Sequence, residues 1–303
     1  MKYELIIVRY GEIGLKGKAT RKRFENSLVK NIKNALNKEQ LPYKIKRDWG
    51  RIYIYTNQIN KSIPILQKVF GITSISPALQ TQSNMDSMPR LAVNISKETL
   101  TKEKSFAIRA TRTGEHNFTS QDVAVKIGND IVEATKASVN LTKPDFELFI
   151  EIRDKNAFIF TEKIRGTGGL PLGTQGKILA LIGNPKSILA SWYLMRRGCK
   201  IFFVNTNESN TNALNSFITN WYADSDVSMS GLGKNLYENV NKIASEKNCT
   251  AIATGHTIYG NSQKELSDIK LLKKHIKLPI LCPLIAMEKD EINKKYKKIG
   301  LLL

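Results

Sequence analysis

From residue 177 onward short apolar runs alternate with amphipathic stretches, and no other property of this 303-residue chain restricts its fold as strongly. The apolar runs predict strands over 178–182, 200–205, 251–253 and 280–283. The stretches between and after them predict helices over 187–197, 212–221, 233–247 and 264–275. Strands separated by helices pair in parallel and carry helices on both faces of the sheet. Ligands of such sheets bind beyond the carboxyl ends of the strands, which are residues 183–186, 205–207 and 254–256 here. In the first turn, Leu181-Ile182-Gly183-Asn184-Pro185-Lys186-Ser187, backbone N–H groups and a helix N-terminus would attract phosphate. Several groups that such a turn uses are missing. Pro185 removes one N–H, Ile182 offers no hydroxyl, and Lys186 stands where a carboxylate could have held magnesium.

The part before residue 177 reads as α+β. A strand over 3–9 ends in the glycine-punctuated loop Gly11, Gly14, Gly17, and a helix over 21–36 places Phe24, Leu28, Ile32 and Leu36 on one face. Lys16, Lys18, Arg21, Lys22 and Arg23 gather in that loop and the first helical turn. Positive charge there opposes the helix dipole, which points to an anionic partner. Residues 52–55 alternate like a strand. Helices are expected over 62–70, 88–100 and 120–135, extended segments over 74–79 and 106–110, and a hairpin pairs 147–152 with 157–162. Glycines then crowd residues 165–174, which reads as a linker. The expected parts are therefore 1–60, 61–165, a linker over 166–176, and 177–303.

The formal charge is +20, and it is unevenly spread: Lys+Arg exceed Asp+Glu by 9 in residues 1–60, by 3 in 61–176 and by 8 in 177–303. Polyanion binding follows, with the N-terminal part as its densest source. No apolar run reaches the roughly 18 residues of a membrane helix, so a cytoplasmic protein with no membrane partner is expected. Cys199, Cys249 and Cys282 lack CxxC or Cys/His spacing, which predicts buried structural thiols, no disulfide framework and no metal site. His116 is expected to pack its loop, whereas His256 lies at a strand end in the presumed pocket. Trp49, Tyr53 and Tyr55 are expected to pack on a strand face.

Three sets of residues carry a family resemblance. The first is Arg9-Tyr-Gly-Glu-Ile-Gly-Leu-Lys-Gly-Lys18. The second is Ile108-Arg-Ala-Thr-Arg-Thr-Gly-Glu-His-Asn-Phe-Thr-Ser120 with Glu162-Lys-Ile-Arg-Gly-Thr-Gly-Gly-Leu-Pro-Leu-Gly-Thr174. The third is Arg196-Arg-Gly-Cys199, Ala253-Thr-Gly255 and Leu281-Cys-Pro-Leu-Ile285. Together they resemble the ThiI family, the tRNA 4-thiouridine synthetases, along nearly the whole chain. The resemblance implies a ferredoxin-like domain, a THUMP domain and a doubly wound parallel-sheet PP-loop domain. It implies that the first two grip tRNA while the third, with ATP and magnesium, adenylates a uridine before sulfur replaces oxygen. The tRNA-binding candidates are Lys16, Lys18, Arg21, Lys22, Arg23, Arg109 and Arg112 flanking a turn, Lys126, and Arg165 in the linker.

The nucleotide-site candidates are Leu181, Ile182, Gly183, Asn184, Lys186, Ser187, Gly255, His256 and Lys264. The family's Ser-Gly-Gly-x-Asp-Ser-Pro loop survives here only as the first Gly and the second Ser, and its Thr-Gly-Glu becomes Thr254-Gly255-His256. Lys264 replaces the Thr of its Ser-Gln-Thr motif. Two readings stay open: a tRNA-binding protein of this type with a degenerate ATP site, and an active synthetase that takes sulfur from a separate carrier. An active homologue or a second copy in a homodimer is the implied protein partner.

Overall fold

The computed structural model describes residues 3–223, 227–229, 235–259 and 262–301, whose contacts divide them into two compact units. The first unit comprises the segment up to Arg9 with Gln40–Gln67 and Ser74–Arg165; the second holds the remainder. Six elements come first in the chain: β1 (Leu5–Tyr10), α1 (Lys18–Lys38), β2 (Lys44–Asp48), β3 (Arg51–Tyr55), α2 (Ile59–Gln67) and β4 (Ile72–Gln82). They are followed by α3 (Ser87–Lys97), β5 (Ser105–Thr113), α4 (Ser120–Thr135), β6 (Ser138–Val139), β7 (Phe146–Arg153), β8 (Asn156–Phe160) and β9 (Ile164–Arg165). The strands form one sheet in the order β2-β3-β1-β4-β8-β7-β5-β6, with β9 also on β4. The βαββαβ succession with strand order β2-β3-β1-β4 is the ferredoxin-like arrangement.

Helix α4 shows how the sequence specifies this unit. Thr119 caps it and Asp122 returns the bond to the Thr119 N–H, while Val123, Ile127 and Ile131 recur on one face and are fully buried. They pack with Phe106, Leu148, Ile150 and Ile152 from the sheet. On the opposite sheet face Tyr53 stacks on Phe158, ring centroids 4.6 Å apart, as expected of a strand-face aromatic. Trp49 instead sits exposed between β2 and β3. Three sequence expectations need correction. β5 runs to Thr113, so Arg109 and Arg112 lie within a strand and, three residues apart, on its opposite faces. Arg165 is the last residue of β9, paired with Ser74, and so precedes the linker. β2 was not anticipated, because Ile45 is its only apolar residue.

In the second unit β10 (Lys177–Ile182), β11 (Lys200–Asn205), β12 (Val227–Met229), β13 (Ala251–Ala253) and β14 (Ile280–Leu281) form an all-parallel sheet ordered β12-β11-β10-β13-β14. Its helices beyond α1 are α5 (Pro185–Arg196), α6 (Thr211–Asn220), α7 (Leu236–Glu246), α8 (Ser262–His275) and α9 (Lys289–Ile299). Alternate residues of β10 serve two cores. Ile178, Ala180 and Ile182 pack with Trp192, Phe217 and Tyr296, whereas Leu179 and Leu181 pack with Val240, Ala244 and Ile276. Helices therefore cover both faces, as the alternation requires. The helix expected from Gly233 begins at Leu236, and Gly233 itself lies outside the described residues. Cys282 follows β14 instead of lying inside it.

The glycine-rich linker is hydrogen-bonded along its length. Gly168 N–H donates to Ile72 O at 2.7 Å, and Leu170 N–H to Arg196 O at 2.9 Å. Gly169 has φ +76°, and a Cβ there would stand 2.0 Å from Arg196 O, so any side chain would break this contact.

Candidate functional site

The order of the second sheet reverses direction at β10, whose neighbours are β11 and β13, so the crevice for a ligand opens at the carboxyl ends of β10 and β13. The β10–α5 turn and residues 254–257 meet there. Gly255 is packed against the first turn of α5: a Cβ on it would lie 2.4 Å from Ser187 N and 2.6 Å from the carbonyl carbon of Lys186. Only glycine permits that approach.

The helix N-terminus is satisfied from within the chain. Asn184 is the N-cap of α5, and its Oδ1 accepts the Ser187 N–H at 3.2 Å. Pro185 occupies the first helical position, where its missing N–H is tolerated. Lys186 Nζ donates to Thr257 Oγ1 and to Glu265 Oε1, both at 3.2 Å, and stands 5.4 Å from the ring centre of Tyr259. The Thr257 N–H donates to the other oxygen of Glu265 at 3.1 Å. His256 Nδ1 lies 2.8 Å from Thr254 Oγ1, which in turn lies 3.4 Å from Cys282 Sγ. Burial pulls the His256 imidazole below its ordinary pKa; Glu265 and Asp268 oppose that shift and Lys186 adds to it.

The structure thus brings Gly183, Asn184, Lys186, Ser187, Gly255 and His256 to one crevice. Leu181 and Ile182 are buried strand residues whose side chains belong to the cores. Lys264 is exposed in the first turn of α8. Glu265 and Thr257 were missed. Glu265 is 79 residues from Lys186, and nothing in the local sequence marks it. Among the described residues no group of three or more His, Cys, Asp and Glu side chains could hold a metal ion.

The basic candidates divide between the two units. In the second unit Lys16, Lys18, Lys22 and Arg23 are exposed at the start of α1, while Arg21 is spent on the loop, donating to the carbonyls of Gly14 at 2.9 Å and Lys16 at 3.2 Å. In the first unit Arg109 pairs with Glu147 at 2.8 Å and donates to Leu141 O. Arg112 is exposed and donates to Gly114 O at 3.0 Å. Lys126 pairs with Asp130 one helical turn away, and Arg165 is exposed. His116 packs its loop as expected, Nε2 lying 2.7 Å from Asp154 O and its ring against Phe118. Burial raises the thiol pKa values of Cys199 and Cys249, which makes both poor nucleophiles.

Family models described as ThiI ferredoxin-like domain, THUMP domain and Thiamine biosynthesis protein (ThiI) match residues 5–76, 82–162 and 218–302. A probable tRNA sulfurtransferase of Methanobrevibacter smithii is 32% identical, with 99% of this chain and 87% of that one covered. The chain belongs to the ThiI family. A second ThiI relative, the probable tRNA sulfurtransferase of Methanocaldococcus jannaschii, is 34% identical over 97% of this chain and 87% of its own. The crystal structure of PH1313 from Pyrococcus horikoshii aligns with a TM-score of 0.85 at 31% identity, covering 98% of this chain and all of that one. A 4-thiouridine synthetase solved as an RNA complex with bound ATP aligns with a TM-score of 0.84 at 27% identity, covering 98% and 85%. These matches bear out the ferredoxin-like, THUMP and PP-loop architecture expected of a ThiI protein. The ThiI model of the third part begins at residue 218, so the turn at 183–187 lies before the matched segment. No helix among the described residues is long and apolar enough to cross a membrane.

Proposed function

We propose that this ThiI-family chain is a tRNA-binding protein acting in 4-thiouridine modification, and that its own nucleotide site does not carry out adenylation. The observation that carries the second half is the self-satisfied turn. Asn184 takes the Ser187 N–H, Pro185 has none to give, and Glu265 holds Lys186 and the Thr257 N–H. The residues at the turn do not fit a magnesium-bound triphosphate. A lysine stands where a metal-binding carboxylate is needed, and the remaining carboxylate is turned onto that lysine.

Binding of tRNA is supported by the THUMP match and by the solved RNA complex of a relative. We assign it to residues 1–165, joined by the linker 166–176 to the PP-loop-type part at 177–303. Exposed Lys16, Lys18, Lys22, Arg23, Arg112 and Arg165 supply its phosphate contacts, because basic side chains facing solvent exchange counterions for phosphate. Lys126, Arg109 and Arg21 contribute less, the first two being paired with a carboxylate and Arg21 donating to two loop carbonyls. The sulfur donor is a separate carrier protein, and the adenylating partner is an active homologue, with a homodimer as the form that presents tRNA to it. The second reading, an active synthetase, rests on the placement of Lys186 at the turn, where its ammonium, 3.2 Å from Glu265, would serve as a phosphate-binding charge. Filter retention of unmodified tRNA at increasing salt tests the proposal. Saturable, salt-sensitive retention supports it, and no retention at low salt contradicts it.

A further inference from the structure

The donors around Lys186 converge on a single carboxylate. Glu265 Oε1 accepts from Lys186 Nζ at 3.2 Å, and Oε2 accepts from the Thr257 N–H at 3.1 Å. Two oxygens of one acidic group therefore bridge an ammonium and a backbone donor, the arrangement that phosphate oxygens adopt at a turn of this kind. Apolar packing holds the later turns of α8, where Leu272 meets the core of Leu179, Val240 and Ile276, but it does not explain why the first turn of α8 stands at the crevice. That helix has no buried side chain, and its Leu266 and Leu271 are about half exposed. The tie is polar. It joins α5 and the strand-end loop after β13 to α8 through Lys186, Thr257 and Glu265.

We infer that Glu265 is a built-in substitute for bound phosphate, an internal anion that occupies the Lys186 ammonium of the 183–187 turn and the neighbouring Thr257 N–H and makes the local fold independent of nucleotide. A turn that binds phosphate leaves its donors to the ligand and is stabilised by it. Here the chain supplies the anion itself, from a residue on another helix. This rests on the reading that the site does not transfer AMP, but its test reads stability rather than turnover, so the two fail separately.

The experiment is thermal unfolding of the full chain with and without millimolar inorganic pyrophosphate. The wild-type Tm is expected to stay unchanged by pyrophosphate. Glu265→Gln is expected to melt about 2–4 °C lower, the scale of one partly buried ion pair in a chain of this size, and to regain at least half of that loss with pyrophosphate. Lys186→Met is expected to melt lower and not to respond, since its variant lacks the cation. Hydrogen exchange of the α8 amides should rise in Glu265→Gln and fall again with the anion. Should Glu265→Gln not fold, Glu265→Asp, which keeps the charge on a shorter arm, is expected to respond to pyrophosphate more than wild type. Equal stabilisation of wild type and the Glu265 variant, an unaltered Tm in Glu265→Gln, or no response of either Glu265 variant would overturn the inference.

Discussion

Gly255 and Ser187 are in backbone contact across the mouth of the parallel sheet, so close that a Cβ on Gly255 would lie 2.4 Å from Ser187 N. Because the obstacle is backbone at the start of α5, no side-chain rotation relieves it. Gly255→Ala is expected to lower stability by about 1–3 kcal/mol, the usual cost of overpacking, which a thermal melt would read as a loss of several degrees. An unchanged Tm would show that the two segments are not held together as described.

A second expectation concerns the first unit, where Glu151 accepts from Arg9 at 3.1 Å, Arg51 at 2.7 Å and Arg153 at 2.9 Å. Burial works to raise the Glu151 carboxyl pKa, but Arg51 and Arg9 outweigh it, so the group ionises more readily than an ordinary glutamate. A depressed carboxylate stabilises the fold above the unfolded pKa and loses that contribution as pH falls through the folded one. Glu151→Gln removes the anion that Arg9, Arg51 and Arg153 share, although Arg153 keeps Asp48 at 3.5 Å, and is expected to cost about 3 kcal/mol at neutral pH. The gap between wild type and variant should close as pH falls below 4 to 5, the range of an unperturbed glutamate. A gap constant with pH would exclude the charge as its source.

His256 also loses stability on acidification, but because its neutral form is the one the fold favours. Its imidazole is held neutral by burial, below its ordinary pKa, so on acidification the unfolded chain takes the proton first. Stability therefore falls as pH drops through the unfolded value near 6.5 and levels off below the folded one. His256→Gln should flatten the decline of unfolding free energy as pH falls through the unfolded value relative to wild type. Parallel curves would contradict the shift.

For tRNA, the strand placement separates two arginines that the sequence treats alike. Arg112 is exposed, whereas Arg109 on the other face of β5 is paired with Glu147. Arg112→Ala is expected to reduce the slope of log affinity against log salt by about one, with Arg109→Ala changing it less. Equal effects would mean that the Glu147 pair opens on binding.

What the sequence revealed depended on how far apart the participating residues are. The β10–α5 unit was legible because its apolar run, its turn residues and its helix are contiguous, and so was α4, with Thr119 and Asp122 three residues apart. The Glu151 cluster was not, because Arg9, Arg51 and Glu151 come from three strands that only pairing aligns. α9 was hidden by its lysines, although Ile292, Tyr296 and Ile299 bury one face of it. Pro185 and Lys186 announced that the turn had changed. The anion now set against Lys186, Glu265, could be found only in three dimensions.

The central claim, a ThiI-family tRNA binder whose nucleotide turn is closed by its own side chains, is tested most directly by incubating the purified chain with labelled ATP, magnesium and unmodified tRNA. Transfer of AMP to tRNA and retention of tRNA are scored in the same sample. The expected result is retention without transfer. Transfer of AMP at the level of an adenylating enzyme would contradict the claim and make residues 182–187 a working, rewritten loop.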